Sequence, residues 1–147
     1  MISGAAPDGR CLHAIACYED ATILCEALVI RLSDDRVWIC HGPADFPSWA
    51  RGIALHAGYE VDVREAPVSP LALQGPRAFD VMEAVAPEAA SLPRFAWAWS
   101  SIAGEEVLIS RTGWSGEFGF EVFAGDDEPP SACGGRSGAL PTRTGSS

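Results

Sequence analysis

The stretch of sequence that decides the fold runs from residue 111 to residue 123 and reads Arg111-Thr112-Gly113-Trp114-Ser115-Gly116-Glu117-Phe118-Gly119-Phe120-Glu121-Val122-Phe123. Its three glycines each remove a side chain that would hold a ligand or another backbone segment at a distance. The spacing matches neither G-x-G-x-x-G nor a Walker motif, so it does not indicate a dinucleotide or phosphate loop. The stretch predicts a glycine-rich loop after one strand, followed by a short strand over 119–123.

Two side chains of this stretch are candidates for ligand binding. Trp114 offers a flat apolar face in a loop, and Glu121 is a carboxylate between Phe120 and Val122. Burying an unpaired carboxylate is costly, and the adjacent N–H donors of a flat heterocycle would pair with it. The alternative is a twisted hairpin with glycine bulges, in which Trp114 caps the core and Glu121 faces solvent. The spacing by itself favours this alternative.

Outward from this stretch, the sequence predicts short strands with two inserted helices. Apolar content and turn residues predict strands at 11–17, 23–32, 37–40, 60–64, 71–73, 95–102, 105–110 and 119–123. Helical spacing of apolar residues over 46–57 predicts a helix with a core-facing stripe and Gly58 as its C-cap. A second helix is expected to have Pro76 in its first turn and to end at Pro87. Strands and helices do not alternate one for one, which predicts an α+β fold with a largely antiparallel sheet.

Glu26 is a further candidate site residue, because it is the one carboxylate on the apolar segment Ile23 to Ile30. It could act as a general base or stabilise a cation, although an outward-facing strand residue is the simpler interpretation. Cys40 and His41 lie at a strand end, where loop residues often line sites. The five cysteines form no C-x-x-C pair, so we expect thiols used as small core residues and no metal site.

Composition narrows the classes of partner. The 147 residues carry 10 basic and 20 acidic side chains, a formal net charge of −10. This sign is wrong for a surface that neutralises phosphates, so we expect neither nucleic acid nor an anionic membrane as partner. No apolar run reaches transmembrane length and the N-terminus lacks a signal-peptide layout, so a soluble cytoplasmic protein is expected.

The amino-acid composition changes near the end of the chain. Residues 125–147 are dominated by Gly, Pro and Ser and contain a single large apolar side chain, Leu140. Such a segment cannot bury enough surface to offset its ordering entropy, so we expect a globular domain over 1–124 and a disordered tail over 125–147. The same residue mix is what GC-rich DNA yields in a wrong reading frame, and we expect a frameshift there.

The Arg111–Phe123 run resembles the R-T-G-[YW]-[TS]-G-E-x-G-[FY]-E segment of the folate-dependent aminomethyltransferases, which include the T-protein of the glycine cleavage system. Val68 to Ala78 is similar to the A-x-Q-G-P-x-A turn of that family, and Ile23 to Leu32 is similar to its I-[IL]-D-D-x-[IV]-V strand. The resemblance covers 10–124. It implies part of the aminomethyltransferase folate-binding domain, with tetrahydrofolate as the cofactor and a small-molecule methyl or aminomethyl donor.

The resemblance also assigns roles to the candidate residues. It implies that Glu121 holds the pterin end of tetrahydrofolate, with Trp114 beside it and Cys40 and His41 lining the pocket. The catalytic aspartate of the family lies in a D-D pair, and here Cys25 and Glu26 occupy those two positions. Glu26 keeps a carboxylate one methylene longer, which fits methyl transfer better than aminomethyl transfer.

Two segments resemble the branch that includes the dimethylsulfoniopropionate demethylases, namely 31–38 and Gly113-Trp114-Ser115. A carrier protein is expected as partner only for a member of the glycine-cleavage branch. Family members are more than twice as long, so a fragment that is inactive alone is expected. Two alternatives are a non-catalytic folate-binding relative of the iron–sulfur maturation branch and an α+β interaction module without ligand.

Overall fold

A computed structural model describes residues 9–125 of the chain, within which there are seven strands and three helices. They are β1 (Cys11–Cys17), β2 (Ile23–Arg31), β3 (Val37–His41), α1 (Phe46–Ala57), β4 (Val68–Gln74), α2 (Ala78–Val85), α3 (Pro87–Ala90), β5 (Trp97–Ile102), β6 (Glu105–Ser110) and β7 (Gly119–Gly125). The predicted α+β class with antiparallel pairing is confirmed. The predicted disordered tail lies, apart from Gly125, outside the described residues.

The strands form two antiparallel sheets. The first has the order β1-β2-β3, and the second has the order β4-β7-β6-β5. The two sheets meet at one corner, where Arg10 forms an antiparallel bridge with Ala96. There the Cys11 amide donates to the Phe95 carbonyl at 2.7 Å. These bonds fix the start of β1 against the start of β5, and thereby the position of one sheet relative to the other.

The second sheet has an apolar layer on each face, because side chains alternate along a strand. Phe120 and Val122 of β7 point toward α2 and α3, where they pack with Met82, Ala89 and Leu92. The next residue, Phe123, points the other way. It belongs to the layer between the two sheets, whose buried members are Cys11, Ile30, Leu108 and Phe123 with Trp38, Trp97 and Trp99 packed against them. Glu121, two residues before Phe123, therefore points into the space between the sheets.

Helix α1 packs on the outer face of the first sheet at its N-terminal end. Phe46 is its one buried residue, in contact with Ala16 and Cys25. The expected core stripe continues only as far as the half-buried Trp49, whereas Leu55 near the helix end is 83% exposed. The helix ends as predicted at Gly58, which has a left-handed φ of 70°.

The other differences from the sequence predictions lie at element ends and in one missing strand. The predicted strand over 60–64 is wrong, because that segment has no partner strand and lies in irregular chain between α1 and β4. Helix α2 begins at Ala78, so Pro76 lies in the preceding turn, and Pro87 begins α3. Strand β5 begins at Trp97, because Phe95 has a φ of 60° that no strand residue adopts.

The described cysteines are free thiols in different surroundings. Cys11 and Cys25 are buried and Cys40 is half-buried, as expected of small core residues, whereas Cys17 is exposed. Among the described helices, none is long and apolar enough to cross a membrane.

Candidate functional site

A cleft of about 750 Å³ lies beside the inter-sheet core, and all five residues singled out in the sequence line it. Glu26 and Cys40 come from the first sheet, with His41 at the end of the same sheet. Glu121 comes from β7, and Trp114 from the loop that precedes β7. Glu26 and Glu121 are far apart in the chain, and they line one cleft because the two sheets face each other.

Glu121 is held by a chain of hydroxyl groups. The Thr112 hydroxyl donates to Glu121 Oε2, and the Ser110 hydroxyl lies within hydrogen-bond distance of Thr112 Oγ1. Because Thr112 uses its proton on the carboxylate, Ser110 donates to Thr112. Among residues 9–125, no other side chain donates to this carboxylate, so Oε1 is open to a ligand in the cleft.

The charge of Glu121 acts on two thiols of the first sheet. Burial raises the pKa of the Cys40 thiol, and the nearby Glu121 carboxylate raises it further. Burial likewise raises the pKa of the Cys11 thiol to about 12, with Glu121 adding to the effect and Arg10 opposing it. Both thiols therefore stay protonated at neutral pH. Cys40 is thus a neutral group lining the cleft, and Cys11 is a neutral thiol of the buried layer between the sheets.

Glu26 lies across the cleft from this cluster and is half-exposed. Its Oε2 is 3.7 Å from Nε2 of His13, which also lines the cleft. Strand register explains the pair: Glu26 is opposite Ile15 and Leu28 is opposite His13, so the two side chains are diagonal neighbours on one face. The first sheet thus carries a carboxylate and an imidazole at the same point of the cleft.

Gln74, at the end of β4, organises the glycine-rich loop. Its side-chain amide donates to the carbonyls of Thr112 at 3.3 Å and Phe120 at 3.2 Å, so it joins both ends of the loop. The Ser115 hydroxyl donates back to Gln74 Oε1 at 3.1 Å. One glutamine side chain therefore fixes the loop that carries Trp114.

The glycines of the loop make room for this arrangement. A Cβ at Gly113 would lie 2.0 Å from Gln74 Oε1, and a Cβ at Gly119 would lie 2.1 Å from the Leu73 carbonyl oxygen. Gly116 has open space but a φ of 81°, which favours glycine. Two of the three glycines are thus required by close approach and the third by backbone conformation.

Trp114 is 75% exposed, so it is not the core cap that the hairpin alternative requires. Its ring borders the cleft instead. Exposed tryptophan on an ordered loop is a ready surface for stacking a flat ligand. The loop position that the sequence indicated for Trp114 is therefore what the structure shows, whereas its role in binding stays a prediction.

His41 borders the cleft but its ring is engaged elsewhere. The ring packs against Phe46 with centroids 5.2 Å apart, and Nδ1 is 2.7 Å from the Gly42 carbonyl oxygen. His41 is opposite Ala27 in the strand register, on the face of the first sheet that carries α1. Its contact with Phe46 of α1 indicates a structural role at this end of the sheet.

Sequence reasoning missed several residues that build the site. His13, Arg94, Thr112 and Gln74 had no role assigned, although Thr112 and Gln74 lie inside the quoted motifs. Thr112 lies two residues after Ser110, which is opposite Glu121 in the strand register, so its role follows once β6 is paired with β7. The signals for His13 and Arg94 appear only once strand pairing and the corner between the sheets are known. Within residues 9–125, no three His, Cys, Asp or Glu side chains are grouped to hold a metal ion.

Comparison with known proteins agrees with the motif resemblance. Residues 2–132 match the GCVT N-terminal domain family. Dimethylsulfoniopropionate demethylase DmdA of Ruegeria pomeroyi is 33% identical over 123 residues, which are 82% of this chain and 34% of that protein. An aminomethyltransferase of Bacillus pumilus is 35% identical over 127 residues, again 82% of this chain and 34% of the relative. An aminomethyltransferase of Thermotoga maritima is 27% identical over 121 residues, 80% of this chain and 33% of the relative.

The chain spans about a third of the length of the curated relatives that it matches. Identities of 33% and 35% do not separate the demethylase from the aminomethyltransferases. The family match, in contrast, extends over residues 2–132 and includes every strand and helix described above. The chain therefore belongs to the GCVT N-terminal domain family.

Proposed function

We propose that the cleft binds tetrahydrofolate and that the chain supplies the folate-binding part of a one-carbon transfer site. The observation that carries the proposal is the meeting of Glu121, Trp114 and Glu26 in one cleft between two sheets. Family membership supports it, because the relatives include aminomethyltransferases and a dimethylsulfoniopropionate demethylase.

The residues fit a reduced pterin. Glu121 offers an open carboxylate oxygen, and the hydroxyl of Thr112 fixes the orientation of the group. A pterin ring presents adjacent N–H donors that pair with such a carboxylate. Trp114 offers an exposed flat face beside it, and the volume of about 750 Å³ lies in the range of small-molecule sites.

Bound tetrahydrofolate would supply the N5 amine that accepts the one-carbon unit. The chain would then orient that amine and place a negative charge near the cationic centre of the donor. Glu26 is suited to the second task because it is a half-exposed carboxylate on the opposite wall from Glu121. The neutral thiol of Cys40 keeps the wall between them free of a further charge.

A donor whose one-carbon group is attached to a cationic centre fits this arrangement. In a sulfonium methyl group and in an iminium methylene group the transferred carbon is electrophilic and attached to a positively charged sulfur or nitrogen, and Glu26 would stabilise that charge. Dimethylsulfoniopropionate is the sulfonium candidate, by analogy with the demethylase relative.

The test separates binding from transfer. Calorimetric titration of the full 147-residue chain with tetrahydrofolate should show saturable binding. Glu26→Gln should leave that affinity within about twofold while lowering any transfer from dimethylsulfoniopropionate by roughly a hundredfold or more. No binding of tetrahydrofolate by the folded chain would overturn the proposal. An equal loss of folate affinity in Glu26→Gln would overturn the division of roles between the two walls.

A further inference from the structure

The imidazole of His13 lies beside Glu26, and no step of the proposed function uses it. Nε2 of His13 is 3.7 Å from Oε2 of Glu26, and both side chains line the cleft. At this distance the two atoms are not hydrogen-bonded, so a strong attraction between them requires a positive charge on the ring. The two side chains are 54% and 49% exposed. A ligand in the cleft can therefore reach the same carboxylate that His13 faces.

Backbone pairing of β1 with β2 holds His13 next to Glu26. The register runs without a break from Cys11 opposite Ile30 to Ala16 opposite Cys25, and its irregularity falls after Ala16. Among residues 9–125, neither His13 nor Glu26 has another ion-pair partner. Replacing either side chain therefore removes this one contact and leaves the strands that carry it in place.

Other titratable or charged groups face the cleft from the elements around it. They are Cys40 and His41 of β3, Arg94 before β5, Arg111 and Glu117 of the glycine-rich loop, and Glu121 of β7. Guanidinium groups keep their charge at every pH that the fold tolerates, and carboxylates ordinarily keep theirs above about pH 5. Cys40 is a neutral thiol. Histidine is the side chain whose charge ordinarily changes between pH 5 and 8.

Of the three histidines in the chain, His13 is the one that faces Glu26. The ring of His41 packs against Phe46, with its Nδ1 at the Gly42 carbonyl oxygen. His56 is exposed in the last turn of α1, outside the cleft. A change of charge at the Glu26 wall between pH 5 and 8 therefore depends on His13.

We propose that a proton on His13 and a cationic donor compete for the Glu26 carboxylate. Neutral His13 leaves the carboxylate to the donor, whereas protonated His13 pairs with it and repels the donor. This inference rests on the proposed function, which places the cationic donor at Glu26. His13 is then a positioning residue that sets the charge of this wall. Donor binding at low pH should release a proton from the ring.

The main test measures affinity for dimethylsulfoniopropionate at pH 8 and pH 5.5 by calorimetric titration of the full chain. Wild type should bind about two- to fivefold more weakly at pH 5.5, the range expected for a half-exposed pair. His13→Gln should keep the pH 8 affinity at both values, because its amide carries no charge. His13→Lys is charged at both and should bind weakly at both. His56→Gln is the matched control and should keep the wild-type pH dependence.

Proton NMR of the His13 ring follows the proton itself. Adding dimethylsulfoniopropionate at pH 6 should move the Cε1–H resonance toward that of a neutral imidazole, and Glu26→Gln should abolish the shift. Trimethylsulfonium, which has no carboxylate, should produce the same shift because the competing group is the cation. A shift with dimethylsulfoniopropionate but none with trimethylsulfonium would overturn the competition for Glu26.

Titration with tetrahydrofolate separates this inference from the proposed function. His13→Gln should leave tetrahydrofolate affinity unchanged, because Glu121 lies on the opposite wall. If the donor binds with a pH dependence that requires His13 while tetrahydrofolate does not bind, the inference stands and the proposed function fails. If tetrahydrofolate binds with dependence on Glu121 but donor affinity responds to pH equally in wild type and His13→Gln, the inference alone is overturned. Absence of donor binding at pH 8 would overturn it as well.

Discussion

At the scale of the residue, Glu121 is the side chain on which the site depends. It is carried by a strand whose neighbours on either side, Phe120 and Val122, belong to the core under α2 and α3. Alternation along the strand therefore sends Glu121 to the opposite face, between the sheets. One hydroxyl donor from Thr112 offsets part of its desolvation, and the remaining acceptor capacity is available to a ligand.

Glu121→Gln should weaken tetrahydrofolate binding roughly ten- to a hundredfold, because a charge-assisted hydrogen bond is worth about 1.5 to 3 kcal/mol. Calorimetric titration measures the change. Glu83→Gln is the control, since Glu83 is exposed on α2 and loses the same charge. The assigned role would be refuted by equal affinity of wild type and Glu121→Gln.

Trp114 gives a second prediction at this scale. Trp114→Ala should lower tetrahydrofolate affinity without lowering the melting temperature, since the ring is 75% exposed and leaves no cavity when removed. Trp114→Tyr should retain most of the affinity because it keeps a flat face. Thermal unfolding and titration of the same two variants check both statements. A large drop in melting temperature for Trp114→Ala would show that the ring supports the fold.

At the scale of the element, the glycine-rich loop is shaped by a residue from another strand. Gln74 bonds to the carbonyls at both ends of the loop, and the amide of Gly75 donates to the Phe118 carbonyl at 2.8 Å. The loop geometry is therefore set by β4 as well as by its own glycines. Positions 113 and 119 therefore require glycine because a Cβ would clash with β4. Glycine in hairpin turns is more often required because of a positive φ.

Gly119→Ala should destabilise the chain by about 1 to 3 kcal/mol, because its Cβ would meet the fixed carbonyl oxygen of Leu73. Gly113→Ala meets only the end of the Gln74 side chain, so Gln74→Ala should rescue Gly113→Ala but not Gly119→Ala. Urea unfolding of the single and double variants measures these differences. Gly52→Ala serves as control: it has open space within α1 and should be neutral or stabilising. Equal rescue of both variants would contradict the separate roles of the two glycines.

At the scale of the whole molecule, the layer between the sheets ties the two halves of the structure together. Cys11 belongs to this layer from the first sheet, and Leu108 and Phe123 belong to it from the second. Burial raises the pKa of the Cys11 thiol to about 12 and also raises that of Cys40. The folded molecule therefore holds protons that the unfolded chain releases at lower pH.

Stability should fall as pH rises above about 9, where unfolded thiols ionise, and should go on falling toward pH 12, where folded Cys11 ionises. The Cys11 thiol contributes up to about 1.4 kcal/mol per pH unit in this window. Urea midpoints at pH 7, 9 and 10.5 measure the decline. Cys11→Ala should be less stable at pH 7, because it loses buried packing, but should decline less steeply with pH. Identical slopes for the two proteins would show that Cys11 does not carry the effect.

The sequence by itself determined the local elements. Apolar periodicity and Gly58 located α1 at Phe46–Ala57, and Glu105–Ser110 followed from apolar content beside the Ala103-Gly104 turn, where both residues have positive φ. These features depend on propensities and turn chemistry within a few neighbouring residues. The candidate residues also came from the sequence, through the motifs around Glu26 and Glu121.

Only the tertiary structure decided which of these pieces meet. Segment 60–64 has the composition of a strand but no partner, and a strand exists only when its backbone groups pair with another. The order β4-β7-β6-β5 and the corner at Arg10 and Ala96 bring Glu121 to the same cleft as Glu26, and the pairing of β1 with β2 places His13 beside Glu26. Such pairings depend on contacts between residues far apart in the chain, which no local pattern encodes.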